Sequence, residues 1–246
     1  MDEWNSELGI SSPWMNAAGF GGFLPMKTPH VAARMGAFVT NPISLLPRNP
    51  ARGRHFLPYT GGFLMHTGHP NPGLRRVLQE FAPKWRNLSL PVWVHLLADQ
   101  GRELKQMARS FEGVENVAAI ELGFAPGLSG REQLDLAAYA VGELPLYICL
   151  ALDDLNPSVL EKLPGLGAAG LVISAPYGMV FSRGRQVKGR LYGPALHPQL
   201  LAALSDLRGY GLPILAGCGV YSLEQGQAAL ACGASAVQID GWYWKF

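Results

Sequence analysis

The chain predicts an α/β fold of the (β/α)8 TIM-barrel type, with the eighth helix missing or replaced by a short aromatic tail. Three observations predict it. Eight short, nearly continuously apolar segments recur along the 246 residues, each bounded by Gly or Pro, and such runs suit parallel strands covered on both faces. Most are separated by stretches with helix punctuation, an alternation that leads to a barrel or a doubly wound sheet. The count of eight favours the barrel, and barrels of about 250 residues fold as one unit. Residues 1–246 are therefore expected to form a single domain.

The elements follow in order. Strand one is residues 13–18 (PWMNAA), with a helix expected over 28–35, and strand two is 37–40 (AFVT). Residues 41–71, rich in Pro, Arg, Gly and His, are too long for a plain connector and read as a loop over the C-terminal face of the barrel, a site wall or lid. A helix over 72–85 leads to strand three (91–97, PVWVHLL), and a helix over 102–111 leads to strand four (117–122, VAAIEL). Ser129 and Glu132 fit a capping box. Strand five is 145–151 (PLYICLA); Pro157 then opens a helix to 163, ahead of strand six (169–174, AGLVIS). Pro198 sits in the first turn of a helix to 208, and strand seven is 213–216 (PILA). Ser222 and Gln225 fit a second capping box before strand eight (235–240, SAVQID). Only Gly241-Trp-Tyr-Trp-Lys-Phe246 remains, which is why no eighth helix is expected.

Composition narrows the function classes. Charged residues are only 15%, against roughly 25% in typical soluble domains, so little of the chain is spare solvated surface. The net charge is +2 and no long run of like charges occurs, so no nucleic-acid partner is expected; Arg75-Arg76 and the Arg183/Arg185/Lys188/Arg190 cluster are local exceptions. Cys149, Cys218 and Cys232 make no C-x-x-C pair and no even disulfide framework, as in reduced, cytoplasmic proteins. No apolar run reaches the roughly 18 residues that cross a bilayer. Met1-Asp2-Glu3-Trp4 lacks the basic and apolar regions of a signal peptide. No membrane association and a cytoplasmic location are the expectations.

Barrel enzymes carry their working groups at the C-terminal ends of strands. That rule selects Asn41, His95, Glu121, Cys149, Ser174 and Asp240, with His66 and His69 from the long loop. His95, Glu121 and Cys149 fall on three consecutive strands, which allows a His–Glu acid/base pair or a thiolate nucleophile. The alternative is that Glu121 is structural and Cys149 a small core filler. His66 and His69 are spaced i, i+3 in a Gly/Pro loop, a spacing that implies no metal site. As loop residues they are either rim contacts to a ligand or merely exposed.

Several motifs carry a resemblance, in order along most of the chain. The most specific are Gly36-Ala-Phe-Val-Thr-Asn-Pro-Ile-Ser-Leu-Leu-Pro-Arg48 and Gly61-Gly-Phe-Leu-Met-His-Thr-Gly-His-Pro-Asn-Pro-Gly73. Met15-Asn-Ala-Ala-Gly19, Ala119-Ile-Glu-Leu122, Tyr192-Gly-Pro-Ala-Leu-His-Pro198, Leu215-Ala-Gly-Cys-Gly-Val220 and Gly233-Ala-Ser-Ala-Val-Gln-Ile239 support them. Together they resemble the class 1 dihydroorotate dehydrogenase family, FMN-dependent barrels that oxidise dihydroorotate to orotate. The resemblance implies flavin contacts at Ala17, Ala18, Gly19, Asn41 and Gly193, and a phosphate cradle at Gly217, Cys218, Gly219, Asp240 and Gly241. It places substrate contacts at Met65, His66, His69 and Ser174, and it matches Arg48, Arg52 and Arg54 to a basic stretch that suits an anionic ligand or a structural salt bridge.

The departures from the family concern chemistry. Its two flavin lysines fall at Asn41 and Cys149, its catalytic cysteine loop has become Gly123-Phe-Ala-Pro-Gly127, and a substrate asparagine falls at Met65. Orotate recognition depends on such amides, so a substrate other than dihydroorotate is expected. Three readings follow: an FMN-binding oxidoreductase with another substrate; a non-catalytic barrel that binds a partner protein or a phosphorylated metabolite; and a flavin-free lyase or isomerase built on Glu121 and His95. The short tail, with Trp242, Tyr243, Trp244 and Phe246, leads to the expectation of a homo-oligomer or protein partner over the flank that an eighth helix would cover.

Overall fold

The computed structural model describes residues 8–26, 34–53 and 56–241. In chain order its strands are β1 (Trp14–Asn16), β2 (Phe38–Val39), β3 (Phe56–Tyr59), β4 (Gly62–Met65), β5 (Val92–Leu97), β6 (Val117–Gly123), β7 (Leu146–Ala151), β8 (Gly170–Ser174), β9 (Tyr177–Ser182), β10 (Arg185–Tyr192), β11 (Ile214–Gly217) and β12 (Ala236–Ile239). Eight of them form one parallel sheet in the order β1-β12-β11-β8-β7-β6-β5-β2. A bridge from Met15 to Ala37, just ahead of β2, brings its two ends together, so the sheet is a nearly closed barrel. These are the eight segments expected, each recovered to within a few residues.

The helices are α1 (Leu74–Glu80), α2 (Ala82–Trp85), α3 (Gly101–Phe111), α4 (Gly130–Ala140), α5 (Pro157–Leu160), α6 (Leu163–Leu166), α7 (His197–Leu207) and α8 (Leu223–Ala231). The helix expected over 72–85 is two short pieces, because Pro83 has no N–H to continue the first. The Ser129 capping box forms as expected: Ser129 Oγ accepts from Glu132 N at 3.4 Å, and Glu132 Oε2 accepts from Ser129 N at 2.7 Å. At the second, Ser222 Oγ accepts from Gln225 N (3.1 Å), but the Gln225 side chain turns back to Tyr221 N (2.8 Å), one residue earlier than a capping box requires. Most of the helix expected over 28–35 lies outside the described residues, as do Arg54 and the aromatic tail from Trp242 to Phe246.

One expectation is corrected. Residues 41–71 are not a plain loop: they contain the β3–β4 hairpin, which joins the β9–β10 hairpin in an antiparallel sheet of order β3-β4-β10-β9. The two hairpins meet through Phe63↔Tyr192, Leu64↔Leu191 and Met65↔Arg190. Pro58 marks the segment as loop in the sequence, yet β3 is an edge strand, where a missing N–H breaks no ladder. The pairing that stabilises these strands lies far along the chain, beyond local pattern.

Inside the barrel, side chains alternate by the two-residue period of a strand. A lower layer of Met15, Ala37, Trp93, Ala119, Tyr147, Val172, Leu215 and Ala236 belongs to one buried apolar cluster, with Trp93 stacked on Tyr147 at 4.2 Å between centroids. One step toward the strand ends the wall turns polar: His95, Glu121, Cys149, Ser174 and Gln238 line a cavity there. A second, larger cluster packs strands against helices outside the barrel, including Val94, Leu122, Ile148, Leu104 and Leu136. Where β1 and β2 lack a full ladder, the buried Asn16 amide bridges them, donating to Val39 O (2.6 Å) and accepting from Val39 N (2.9 Å).

Candidate active site at the barrel mouth

The polar layer begins with a buried chain of three side chains. His95 and Glu121 are register partners on β5 and β6, so their inward side chains sit side by side. His95 Nδ1 lies 2.7 Å from Glu121 Oε1, and Gln238 on β12 donates from Nε2 to Glu121 Oε2 at 2.6 Å. A carboxylate only accepts, which orients the Gln238 amide. It also sets Nδ1–H as the donor of the imidazole and leaves Nε2 outside this chain of hydrogen bonds. Nε2 rests against Gly123, where an added Cβ would lie 2.5 Å from it. A side chain at 123 would therefore push the ring out of register with Glu121.

The same cavity, of about 50 Å³, is bounded by Ala17, Ala18, His69, Cys149, Ser174, Arg190, Tyr192 and Gly217. Gly19, Asn41, Met65 and His66 line an adjoining outer cavity of about 210 Å³, which also includes Ala18 and His69. Asn41 has a structural role as well, its Oδ1 accepting from Gly22 N at 3.0 Å. A third cavity, of about 290 Å³, opens toward Phe124 to Leu128 and Asp153. Arg190 is in the wall of all three. Its Nη1 donates to Ser174 Oγ (3.1 Å) and Ala175 O (2.5 Å), and the guanidinium lies 4.5 Å from the Tyr177 ring centroid.

Burial tunes the remaining groups. It lowers the pKa of His69 to about 3, helped by the neighbouring His95 and Arg190, so this imidazole stays neutral across the physiological range. Its backbone is left-handed, φ 53°, with N donating to Thr67 Oγ1 and O accepting from Asn71 Nδ2. Burial, then the Glu121 charge, push the Cys149 thiol up to about 12. A neutral thiol is a poor nucleophile. Arg48 and Arg52 are exposed. Among the described residues no three His, Cys, Asp or Glu side chains are grouped to hold a metal ion.

The residues expected to hold FMN leave little room for that group at the centre of the barrel mouth. Sites for cofactor-sized ligands run to roughly 300–1,000 Å³. Here Arg190 and Tyr192 divide the mouth, and the central cavity is only about 50 Å³. Glycines expected near the flavin pack closely on the chain itself. Gly219 packs on the start of α7, where a Cβ would lie 2.9 Å from His197 N, and Gly193 packs closer still on Gly61. A Cβ added at Gly241 would lie 3.1 Å from the Phe63 ring, which stacks on Tyr192 at 5.3 Å. Asp240 is 1% exposed, and with burial its carboxylate raises the Tyr221 phenol and the Cys218 thiol.

Of the residues selected from sequence, the fold brings His95, Glu121, Cys149, Ser174, His69, Ala17, Ala18 and Gly217 around one cavity. Sequence reasoning missed Gln238 and Tyr192 as lining residues and treated Arg190 only as part of a basic cluster. The alternation Ala236, Gln238, Asp240 was the available signal for Gln238. For Arg190 there was none, because its position depends on the β4–β10 pairing.

No protein-family model matches the chain. Among curated proteins it is similar to the catalytic subunit of dihydroorotate dehydrogenase B (NAD(+)) from Maridesulfovibrio salexigens, with 28% identity over 94% of this chain and 84% of the relative. Proteins of the same name from Geobacillus sp. (27%, over 94% of this chain and 81% of the relative) and Trichlorobacter lovleyi (25%, over 94% and 84%) are similar too. The likeness thus runs along nearly the whole chain and supports the resemblance that the motifs carry. No helix among the described residues is long and apolar enough to cross a membrane.

Proposed function

We propose that this dihydroorotate dehydrogenase-like barrel is a flavin-independent acid–base enzyme of the lyase or isomerase class, acting on a small molecule other than dihydroorotate. The observation that carries the reading is the buried His95–Glu121–Gln238 chain at the strand ends. Glu121 holds the imidazole by Nδ1–H, and Nε2 takes a proton from a substrate carbon. The C–H bond breaks, the pair stays on the substrate as an enolate, and Glu121 stabilises the imidazolium. Return of the proton from Nε2 to a different carbon completes an isomerisation. Positioned acid–base groups of this kind contribute about 10²–10⁴-fold. Cys149 and Ser174 act as wall and as anchor for Arg190.

Proton exchange in D2O with pyruvate, oxaloacetate and related small oxo acids, followed by NMR, tests the reading. Deuterium entry into carbon is expected with the natural protein and should fall about 10²–10⁴-fold in His95→Gln. Equal exchange by the two proteins, or none with any of these acids, counts against it.

Similarity to the curated relatives favours a second reading, an FMN-dependent oxidoreductase with a changed substrate site. The absorption spectrum separates the two, since a bound flavin colours the protein. The relatives are named as catalytic subunits, which supports work within an assembly, as a homo-oligomer or with a partner chain. Mass in solution checks that: an assembly larger than 26.5 kDa is expected, and a stable monomer contradicts it.

A further inference from the structure

We infer that Arg190 is a binding residue for a carboxylate, so that the ligand of this barrel is a small organic acid held by its carboxylate on the guanidinium, beside His95. The inference deepens the acid–base reading and rests on it for the role of His95; the binding claim itself can be tested without turnover.

A guanidinium offers five N–H donors in a rigid fork. Arg190 uses only Nη1, toward Ser174 Oγ and Ala175 O. Its Nε and Nη2 make no hydrogen bond to a described residue, and no described carboxylate comes within the 4.0 Å of an ion pair. The side chain is not free to wander, since Ser174, Ala175 and the Tyr177 ring hold it from one side. A fixed, partly buried cation with an unused two-donor edge suits bidentate carboxylate recognition. Strands β4 and β10 carry it over the barrel mouth by the Met65↔Arg190 pairing, into the wall of the cavity that also holds His95 and Glu121.

Charge and size select the kind of anion. Arg190 is the one arginine or lysine among the residues that line the central cavity, and burial keeps His69 there neutral. Glu121 stands in the same wall, and Asp153 lines the neighbouring cavity that Arg190 also bounds. One cation with carboxylates nearby favours the smaller charge of a monoanion over that of a phosphate dianion. The central cavity of about 50 Å³ admits a carboxylate head, while the cavities of about 210 and 290 Å³ beside it take the rest of a small acid. A carboxylate seated on Arg190 brings its neighbouring carbon toward His95, and the same guanidinium then stabilises the enolate oxygens that appear when a proton leaves.

Calorimetric titration of the full chain with propionate, and separately with inorganic phosphate at matched ionic strength, tests the inference. Saturable propionate binding is expected, at least tenfold tighter than phosphate. Arg190→Met should weaken it at least tenfold and Arg190→Lys less, both with circular dichroism and melting temperature close to the natural protein. His95→Gln should still bind propionate, so failure of the acid–base reading would show as loss of exchange with binding intact. Propionate affinity unchanged in Arg190→Met, phosphate bound as tightly as propionate, or no propionate binding at all by the folded protein overturns the inference. Should Arg190→Met fail to fold, Arg190→Lys decides: affinity equal to the natural protein contradicts the role of the two-donor edge.

Discussion

His95 and Glu121 owe their proximity to a two-residue period and one register. Their sequence spacing places both on inward positions of adjacent strands, and the structure closes them to 2.7 Å. Gly123 makes the arrangement possible, so Gly123→Ala should displace the imidazole and cost about 1–3 kcal/mol, as overpacking does; urea unfolding checks the cost, and NMR shows the His95 ring shift. Burial makes a different prediction at the cysteines. Cys149 and Cys218 are buried and hold their protons, and Cys232 is half-buried. Under native conditions a colorimetric thiol reagent should therefore titrate about one thiol quickly, Cys232, with the others released on unfolding. Rapid reaction at Cys149 would restore it as a nucleophile.

His69 carries a pH signature. In the unfolded chain its imidazole takes a proton near 6.5, while in the folded chain it stays neutral down to about 3. The folded state thus binds fewer protons, and this contribution to stability is present above pH 6.5 and lost as pH falls toward 3, at no more than about 1.4 kcal/mol per pH unit. Urea midpoints measured through that window should fall less steeply in His69→Gln. Neither this environment nor that of Arg190 was legible in the sequence: both residues reach the mouth on strands and turns fixed by partners far along the chain.

At the scale of elements, the barrel strands were legible because parallel strands buried on both faces leave unbroken apolar runs, and Gly and Pro mark their ends. The antiparallel hairpins were not. Their alternation is short, Pro58 interrupts it, and β3 and β4 persist through pairing with β10. The helix starts were legible wherever a side chain does the capping, as at Ser129 and Ser222. The weakest junction of the sheet is between β1 and β2, where the Asn16 amide substitutes for ladder hydrogen bonds. Asn16→Ala removes both bonds and orphans buried backbone groups, so a loss of about 2–4 kcal/mol is expected in denaturant unfolding. A loss under about 0.5 kcal/mol, smaller than a typical net hydrogen bond, would mean the barrel closes without it.

For the whole molecule, order of motifs carried the fold, and departures from the motifs underlie the proposed function. A barrel keeps its frame through apolar layers that tolerate change, while its chemistry lies in a few inward side chains at one end. Here those side chains form a His–Glu–Gln chain, with Arg190 and Tyr192 in the wall of the same small cavity. The resemblance predicted the scaffold; the activity we propose rests on this polar layer. The visible absorption spectrum of the purified protein, before and after incubation with excess FMN and desalting, tests this most directly. No flavin band is expected in either sample; a stoichiometric yellow protein would contradict a flavin-free site.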